Sequence, residues 1–171
     1  MNFVMKRADI HNYKAMADVI QSVWLEINNK DWFVADDPEK LRLLLEEGNG
    51  LGYQAVEEES GALAGVFFVA FPGAGEENMG RDIGISEEEL PKVAHMESVA
   101  ILPEYRGHGL QYRLMLEGEE ELKRRGYQYL MCTIHPDNQF SKNNAIRQGY
   151  EVMATKEKYG GFLRDILLKR I

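Results

Sequence analysis

The chain has 171 residues, 44% apolar and 28% charged, proportions that fit one globular domain with a real core and exclude a disordered segment. Lys and Arg total 20 against 28 Asp and Glu, a formal net charge of −8. That balance argues against nucleic acid or an anionic membrane as partner, because phosphate binding rests on basic side chains.

In chain order, residues 3–7 read as a short strand. Asp9 is placed to cap a helix whose apolar positions are Tyr13, Ala17, Ile20, Trp24 and Ile27. A second helix is predicted from Pro38 or Glu39 to Glu46, with Pro38 in its first turn and Gly48 just past its end. Leu51–Glu57 and Leu63–Phe71 alternate like strands joined by a hairpin turn at residues 58–61. Residues 72–92 are rich in Gly and Glu and too long for a simple turn, so they read as a lid or a solvated insertion. Strands are predicted over Val93–Leu102, Tyr127–Ile134, Tyr150–Lys156 and Phe162–Arg170, with helices over Gly109–Arg125 and Asn138–Gln148. This alternation implies an α/β or mixed α+β sheet with helices on both faces.

Cys132 is the single cysteine, so no internal disulfide forms, and its apolar strand makes it an inert core thiol. With no CxxC or Cys/His pair, no metal site is expected. The segment MNFVMKRADI lacks an apolar signal core, and nowhere do about 18 apolar residues run together. Neither secretion nor a membrane span is expected, and the cytoplasm is the expected location.

The most informative stretch is Ile101-Leu102-Pro103-Glu104-Tyr105-Arg106-Gly107-His108-Gly109-Leu110-Gln111. A strand ends at Pro103, which has no N–H to continue a ladder. A turn with two glycines then opens directly into a helix, whose first N–H groups lack internal acceptors and carry the positive end of its dipole. Such a turn is an anion site suited to a diphosphate, with Arg106 adding charge at its mouth. It is neither a Walker loop nor a Rossmann fingerprint, lacking the Gly-Lys-Ser/Thr of one and the third glycine of the other.

The run from Glu97 to Leu110 resembles the acetyl-CoA signature of the GNAT N-acetyltransferase superfamily: an apolar strand, Pro, then Arg/Gln-x-x-Gly-x-Gly/Ala. Arg106 and Gly109 match that pattern, and Gln111 stands where the family prefers Gly or Ala. Asn138 at the opening of the next helix, and Gly149-Tyr150 before the following strand, match a second family segment at the expected offset. The resemblance covers residues 93–156 well and the N-terminal half only in element order.

It implies a single domain over residues 1–171. An acceptor-side half spans 1–92 with the loop 72–92, a cofactor core spans 93–156, and a final strand spans 157–171. The implied sheet is mixed, mostly antiparallel, of six to seven strands, and splayed at the fourth. Acetyl-CoA is the implied donor. Val99 and Ile101 would offer backbone groups to its pantetheine arm, while Arg106, Gly107, His108, Gly109, Leu110 and Gln111 would hold its diphosphate. Asn138 would contact it beyond the splay; a plain helix cap is the other reading of that residue.

Acetyl transfer needs a neutral amine, and a Lys-type amine with a pKa of roughly 10.4 is almost wholly charged at neutral pH. A general base is therefore useful, and His95 and Glu97, two apart on one strand face, are the candidates. Many members of the family have a Tyr seven residues after the helix-opening Asn as proton donor to the thiolate. Here Ala145 occupies that place, so either the thiolate leaves without that acid or another hydroxyl, of Tyr150 or Tyr159, substitutes. His135, before Pro136, reads as a turn residue. The acceptor wall would comprise Trp24, Trp32, Phe33, Asp36, Asp37 and the acidic residues of 76–89, suiting a cationic amine. The expected activity is N-acetylation of a primary amine on a small molecule or peptide. A non-catalytic acyl-CoA-binding module of the same fold is the alternative. A homodimer is the oligomer to look for, twofold dimers being the commonest.

Overall fold

A computed structural model describes all residues, 1–171. The elements are β1 (Phe3–Arg7), α1 (Tyr13–Glu26), α2 (Pro38–Glu46), β2 (Gly50–Glu57), β3 (Leu63–Ala70), β4 (Val93–Ile101), α3 (Leu110–Arg124), β5 (Tyr129–Ile134), α4 (Gln139–Arg147), β6 (Glu151–Lys158) and β7 (Phe162–Arg170). Seven strands run in the order β1-β2-β3-β4-β5-β7-β6. The β1–β2, β2–β3, β5–β7 and β6–β7 pairs are antiparallel and β4–β5 is parallel. The mixed, mostly antiparallel α/β sheet expected from the sequence is the one observed. No helix is long and apolar enough to cross a membrane.

Two compact, interleaved units divide the chain: residues 1–28, 35–70 and 96–121 form the first, and 29–34, 71–95 and 122–171 the second. β4 contributes its first three residues to the second unit and its remainder to the first.

In the first unit, Asp9 and Asn12 form the capping box of the 3-10 turn Ile10–Asn12 that leads into α1: Asp9 Oδ1 accepts from the His11 N–H at 2.8 Å and Asn12 Oδ1 from the Asp9 N–H at 2.9 Å. The buried face of α1 is Met16, Ala17, Val19, Ile20 and Val23. It lies part of a turn away from the expected stripe, and Tyr13 and Trp24 sit half-buried at its margin. Asp37 caps α2 by accepting from the Glu39 N–H at 2.8 Å, with Pro38 in the first turn. Gly118 of α3 touches the Phe67 ring, where a Cβ would come within 2.7 Å of Cε2. That glycine is a packing requirement.

In the second unit the parallel ladder pairs Val93, Ala94 and His95 with Tyr129, Leu130 and Met131. Met79, Val93, Met131, Ile166 and Leu168 form a buried apolar cluster. Residues 72–92 are neither a free lid nor a solvated insertion. Asn78, 1% exposed, donates to Gly73 O at 2.8 Å and Leu90 O at 3.1 Å and accepts from the Gly80 N–H at 2.8 Å. Arg81 donates to Gly75 O and Ala74 O and pairs with Glu87. Asp82 is bracketed by Lys156 and Lys158, each at 2.7 Å. Much of the acidity counted in this loop is thus neutralised locally.

Candidate active site

Along β4 the burial alternates: Met96, Ser98 and Ala100 are buried, while Glu97, Val99 and Ile101 are half-exposed. The residues expected to meet a donor and an acceptor therefore share the more open face of the strand.

Pro103–Tyr105 forms a 3-10 turn after β4, and Gly107 and Gly109 then adopt φ of 85° and 67°. This left-handed backbone favours glycine, and a Cβ built on either residue meets nothing within 4 Å. The Cβ side of both glycines is open. The first N–H donated at the head of α3 is that of Arg113, to Gly109 O at 3.1 Å, so those of Gly109, Leu110, Gln111 and Tyr112 have no acceptor within the chain. Arg106 is exposed, with its Nε donating to Ile101 O at 3.2 Å, which aims the rest of the guanidinium outward. The His108 Nδ1–H donates to Tyr105 O at 3.0 Å, and its ring packs 5.1 Å from that of Phe3. His108 therefore braces the turn. Leu110 is buried and anchors α3, whereas Gln111 is half-buried.

Glu97 is held by a residue the sequence did not single out. Lys40, on α2, donates to Glu97 Oε1 at 2.5 Å and to Asp36 Oδ1 at 2.9 Å. The second carboxylate oxygen of Asp36 accepts from the buried Ser98 hydroxyl at 2.6 Å. Burial alone would lower the pKa of Lys40, but Glu97 and Asp36 outweigh it and hold the ammonium well above its ordinary value. Asp36 and Asp37, grouped as an acceptor wall in the sequence, separate here: Asp37 caps a helix and Asp36 belongs to the Glu97 cluster.

His95 is 6% exposed, and its Nε2 accepts from the Met79 N–H at 3.0 Å. The neutral ring then carries its proton on Nδ1. Although two residues from Glu97, His95 is covered by the segment after β3, so the shared face is open at one residue and closed at the other.

In the second unit Asn138 caps α4, its Oδ1 accepting from the Ser141 N–H at 3.3 Å. Ala145 is 3% exposed and brings no hydroxyl to the family's tyrosine position. Of the substitutes, Tyr150 is buried, and Tyr159 is exposed with its hydroxyl 2.8 Å from Thr133 Oγ1. His135 does more than terminate a strand. Its ring stacks on Trp32 at 5.6 Å and lies 3.6 Å from Asp31 Oδ2, while its Nδ1 accepts from the Asp137 N–H. Burial pushes the Cys132 thiol up to about 12, which makes it inert.

The profile of the Acetyltransferase (GNAT) family matches residues 21–150. Among solved structures, the chain is similar to an acetyltransferase of the GNAT family from Streptococcus pneumoniae, with a TM-score of 0.75 and 15% identity over 99% of this chain and 100% of that one. It is also similar to Arabidopsis thaliana NAA60 in complex with acetyl-CoA, with a TM-score of 0.78 and 11% identity over 99% of both chains. The ribosomal-protein-S18-alanine N-acetyltransferase of Escherichia coli gives a TM-score of 0.71 and 14% identity over 99% of this chain and 94% of that one. At these identities the likeness establishes the fold. No curated protein sequence matches the chain. The family profile spans most of the chain, including β4, the glycine turn and α4, and the chain belongs to the Acetyltransferase (GNAT) family.

Proposed function

We infer that this chain transfers an acetyl group from acetyl-CoA to a primary amine by direct attack within a ternary complex. The observation that carries this reading is the turn before α3, with two left-handed glycines, open space on their Cβ side and four adjacent N–H groups without intrachain acceptors. A diphosphate supplies the acceptors such a turn lacks. NAA60 was solved with acetyl-CoA, and the same donor suits this turn. Arg106 adds charge, and Gly107 through Gln111 provide the backbone cradle. Val99 and Ile101 present the half-exposed edge of β4 to the pantetheine arm.

Glu97 is the general base. It takes a proton from the acceptor ammonium, and the neutral nitrogen attacks the thioester carbonyl. The C–N bond forms as the C–S bond breaks, CoA leaves as a thiolate, and the nitrogen loses its second proton to solvent, from which the thiolate takes one, since Ala145 offers no acid. His95, with its Nε2 committed to Met79, sets the start of β4 and takes no proton.

Ala145 specifically favours a second reading, an acyl-CoA-binding module without chemistry. Release of free thiol from acetyl-CoA across a panel of amines separates the two: turnover supports transfer, and binding without turnover supports the module. Within the first reading, Glu97→Gln should lower kcat/KM at neutral pH at least about tenfold with unchanged acetyl-CoA affinity. An unaltered pH–rate profile would remove Glu97 from the role.

A further inference from the structure

Glu97 is not an isolated carboxylate waiting for a substrate. A primary ammonium already sits on it, and that ammonium belongs to the chain. Lys40 Nζ donates to Glu97 Oε1 at 2.5 Å and to Asp36 Oδ1 at 2.9 Å. Asp36 in turn is aimed by the buried Ser98 hydroxyl, 2.6 Å from its other oxygen. The two carboxylates come from positions 61 residues apart, as the numbers 36 and 97 show, so the fold has assembled this pair.

We propose that Asp36 and Glu97 together form the seat for the acceptor's primary ammonium and that Lys40 is its tethered occupant, which an acceptor must displace. The proposal deepens the transferase reading and rests on it for the identity of the acceptor.

Three features fit a displaceable occupant better than a permanent brace. Lys40 comes from a helix outside the strand, on a flexible four-carbon stem. Its side chain is 48% exposed, against 12% for Asp36 and 20% for Glu97. The occupant is therefore the most open member of the cluster. Lys40 also borders a surface hollow of about 410 Å³ with Leu43 and Leu44 on its wall and Glu47 at its rim, where the stem and head can go once released.

The chemistry defines the acceptor. An ammonium with N–H groups to donate to both carboxylates reproduces what Lys40 does, whereas a quaternary ammonium cannot. An acceptor seated this way already hydrogen-bonds the carboxylate that removes its proton. Lys40 then acts as a filter: an amine that cannot outcompete a tethered Lys stays out, which favours acceptors carrying a second recognition element.

The test is a binding measurement that needs no turnover. The probe is n-butylammonium, titrated at fixed ionic strength while the backbone amide resonances of residues 36 and 97–98 are followed, with tetramethylammonium as control. Tethered groups compete at effective concentrations in the millimolar range, so Lys40→Met should tighten butylammonium binding at least about fivefold. Lys40→Arg, which keeps an occupant with donors, should bind like the wild-type chain, and tetramethylammonium should gain less than butylammonium in Lys40→Met. Equal butylammonium affinity in Lys40→Met and the wild-type chain would overturn the proposal, and so would an equal gain for tetramethylammonium, which would reduce the effect to net charge. If Lys40→Met tightens binding as stated while Glu97→Gln turns over normally, the seat stands and the base assignment fails. If Glu97→Gln is inactive and Lys40→Met binds no tighter, the base assignment stands and the occupant proposal fails.

Discussion

Two loops of this chain look alike in sequence and differ in construction. Residues 103–110 and residues 72–92 both mix glycine with charge. In the longer loop the donors of Asn78 and Arg81 find carbonyls inside the loop, Asp82 finds two lysines, and Met79 is driven into an apolar cluster. Both loops hold glycines at positive φ with open space on the Cβ side, Gly73 and Gly84 in the longer and Gly107 and Gly109 in the shorter; what marks the shorter is that the four successive N–H groups of residues 109–112, at the head of α3, have no acceptor within the chain. Buried backbone polar groups are almost always satisfied, and the buried part of the longer loop meets that requirement internally, whereas the N–H groups at the head of α3 remain available to an anion.

The largest expected effect is on the shorter loop. Gly109→Val places a branched side chain at φ 67° and into the open space. It should weaken acetyl-CoA binding by about a hundredfold, or roughly 2.7 kcal/mol. Calorimetry is the check, and unchanged affinity would erase the contrast between the loops. Asn78→Ala strips three hydrogen bonds, two of them buried, from the longer loop. It should cost about 2 to 3 kcal/mol in chemical denaturation while leaving acetyl-CoA affinity intact; a matching loss of affinity would make that loop part of the donor site.

A smaller effect probes the second unit. Asp165 is 2% exposed. Its burial alone would raise the carboxyl pKa, but Lys142 at 2.8 Å and the Thr155 hydroxyl hold it below the ordinary range. A depressed carboxyl stabilises the fold above its unfolded value and loses that contribution as pH falls through its folded value. Lys142→Met should therefore destabilise by about 2 kcal/mol at pH 7, and the gap from the wild-type chain should close below about pH 4. A gap independent of pH would assign the loss to packing. The smallest effect is Arg106→Ala, expected to weaken acetyl-CoA about tenfold, a single charge-assisted contact of roughly 1.4 kcal/mol, with little change for an acceptor amine.

The glycine turn is legible in the sequence because its signals are local: a proline that ends a strand, two glycines, and a helix start within nine positions. The cap at Asp9 is legible for the same reason, whereas Asp37, read as part of an acceptor wall, proves to be the cap of α2. The long-range pairs are not legible. Nothing near Glu97 announces Lys40, which arrives from α2, and nothing near His95 announces the Met79 N–H that commits its ring nitrogen. Period-two alternation places His95 and Glu97 on one face correctly but is blind to what covers each. The stacking of Trp32 on His135 is equally non-local, and the only sequence hint was a histidine beside a proline. Of the stripe expected for α1, Ala17 and Ile20 are buried, while Tyr13 and Trp24 lie at its margin and Met16, Val19 and Val23 complete the buried face, because Trp and Tyr tolerate a half-exposed margin.

The central claim is that the turn from Arg106 to Gln111 binds the diphosphate of the donor. Calorimetric titration of the wild-type chain with acetyl-CoA and with S-acetylpantetheine, which shares the thioester arm but lacks the diphosphate, tests it most directly. Acetyl-CoA should bind at least about a hundredfold tighter, a difference of roughly 2.7 kcal/mol, and Gly109→Val should abolish most of that difference. Equal affinity for the two donors would contradict it.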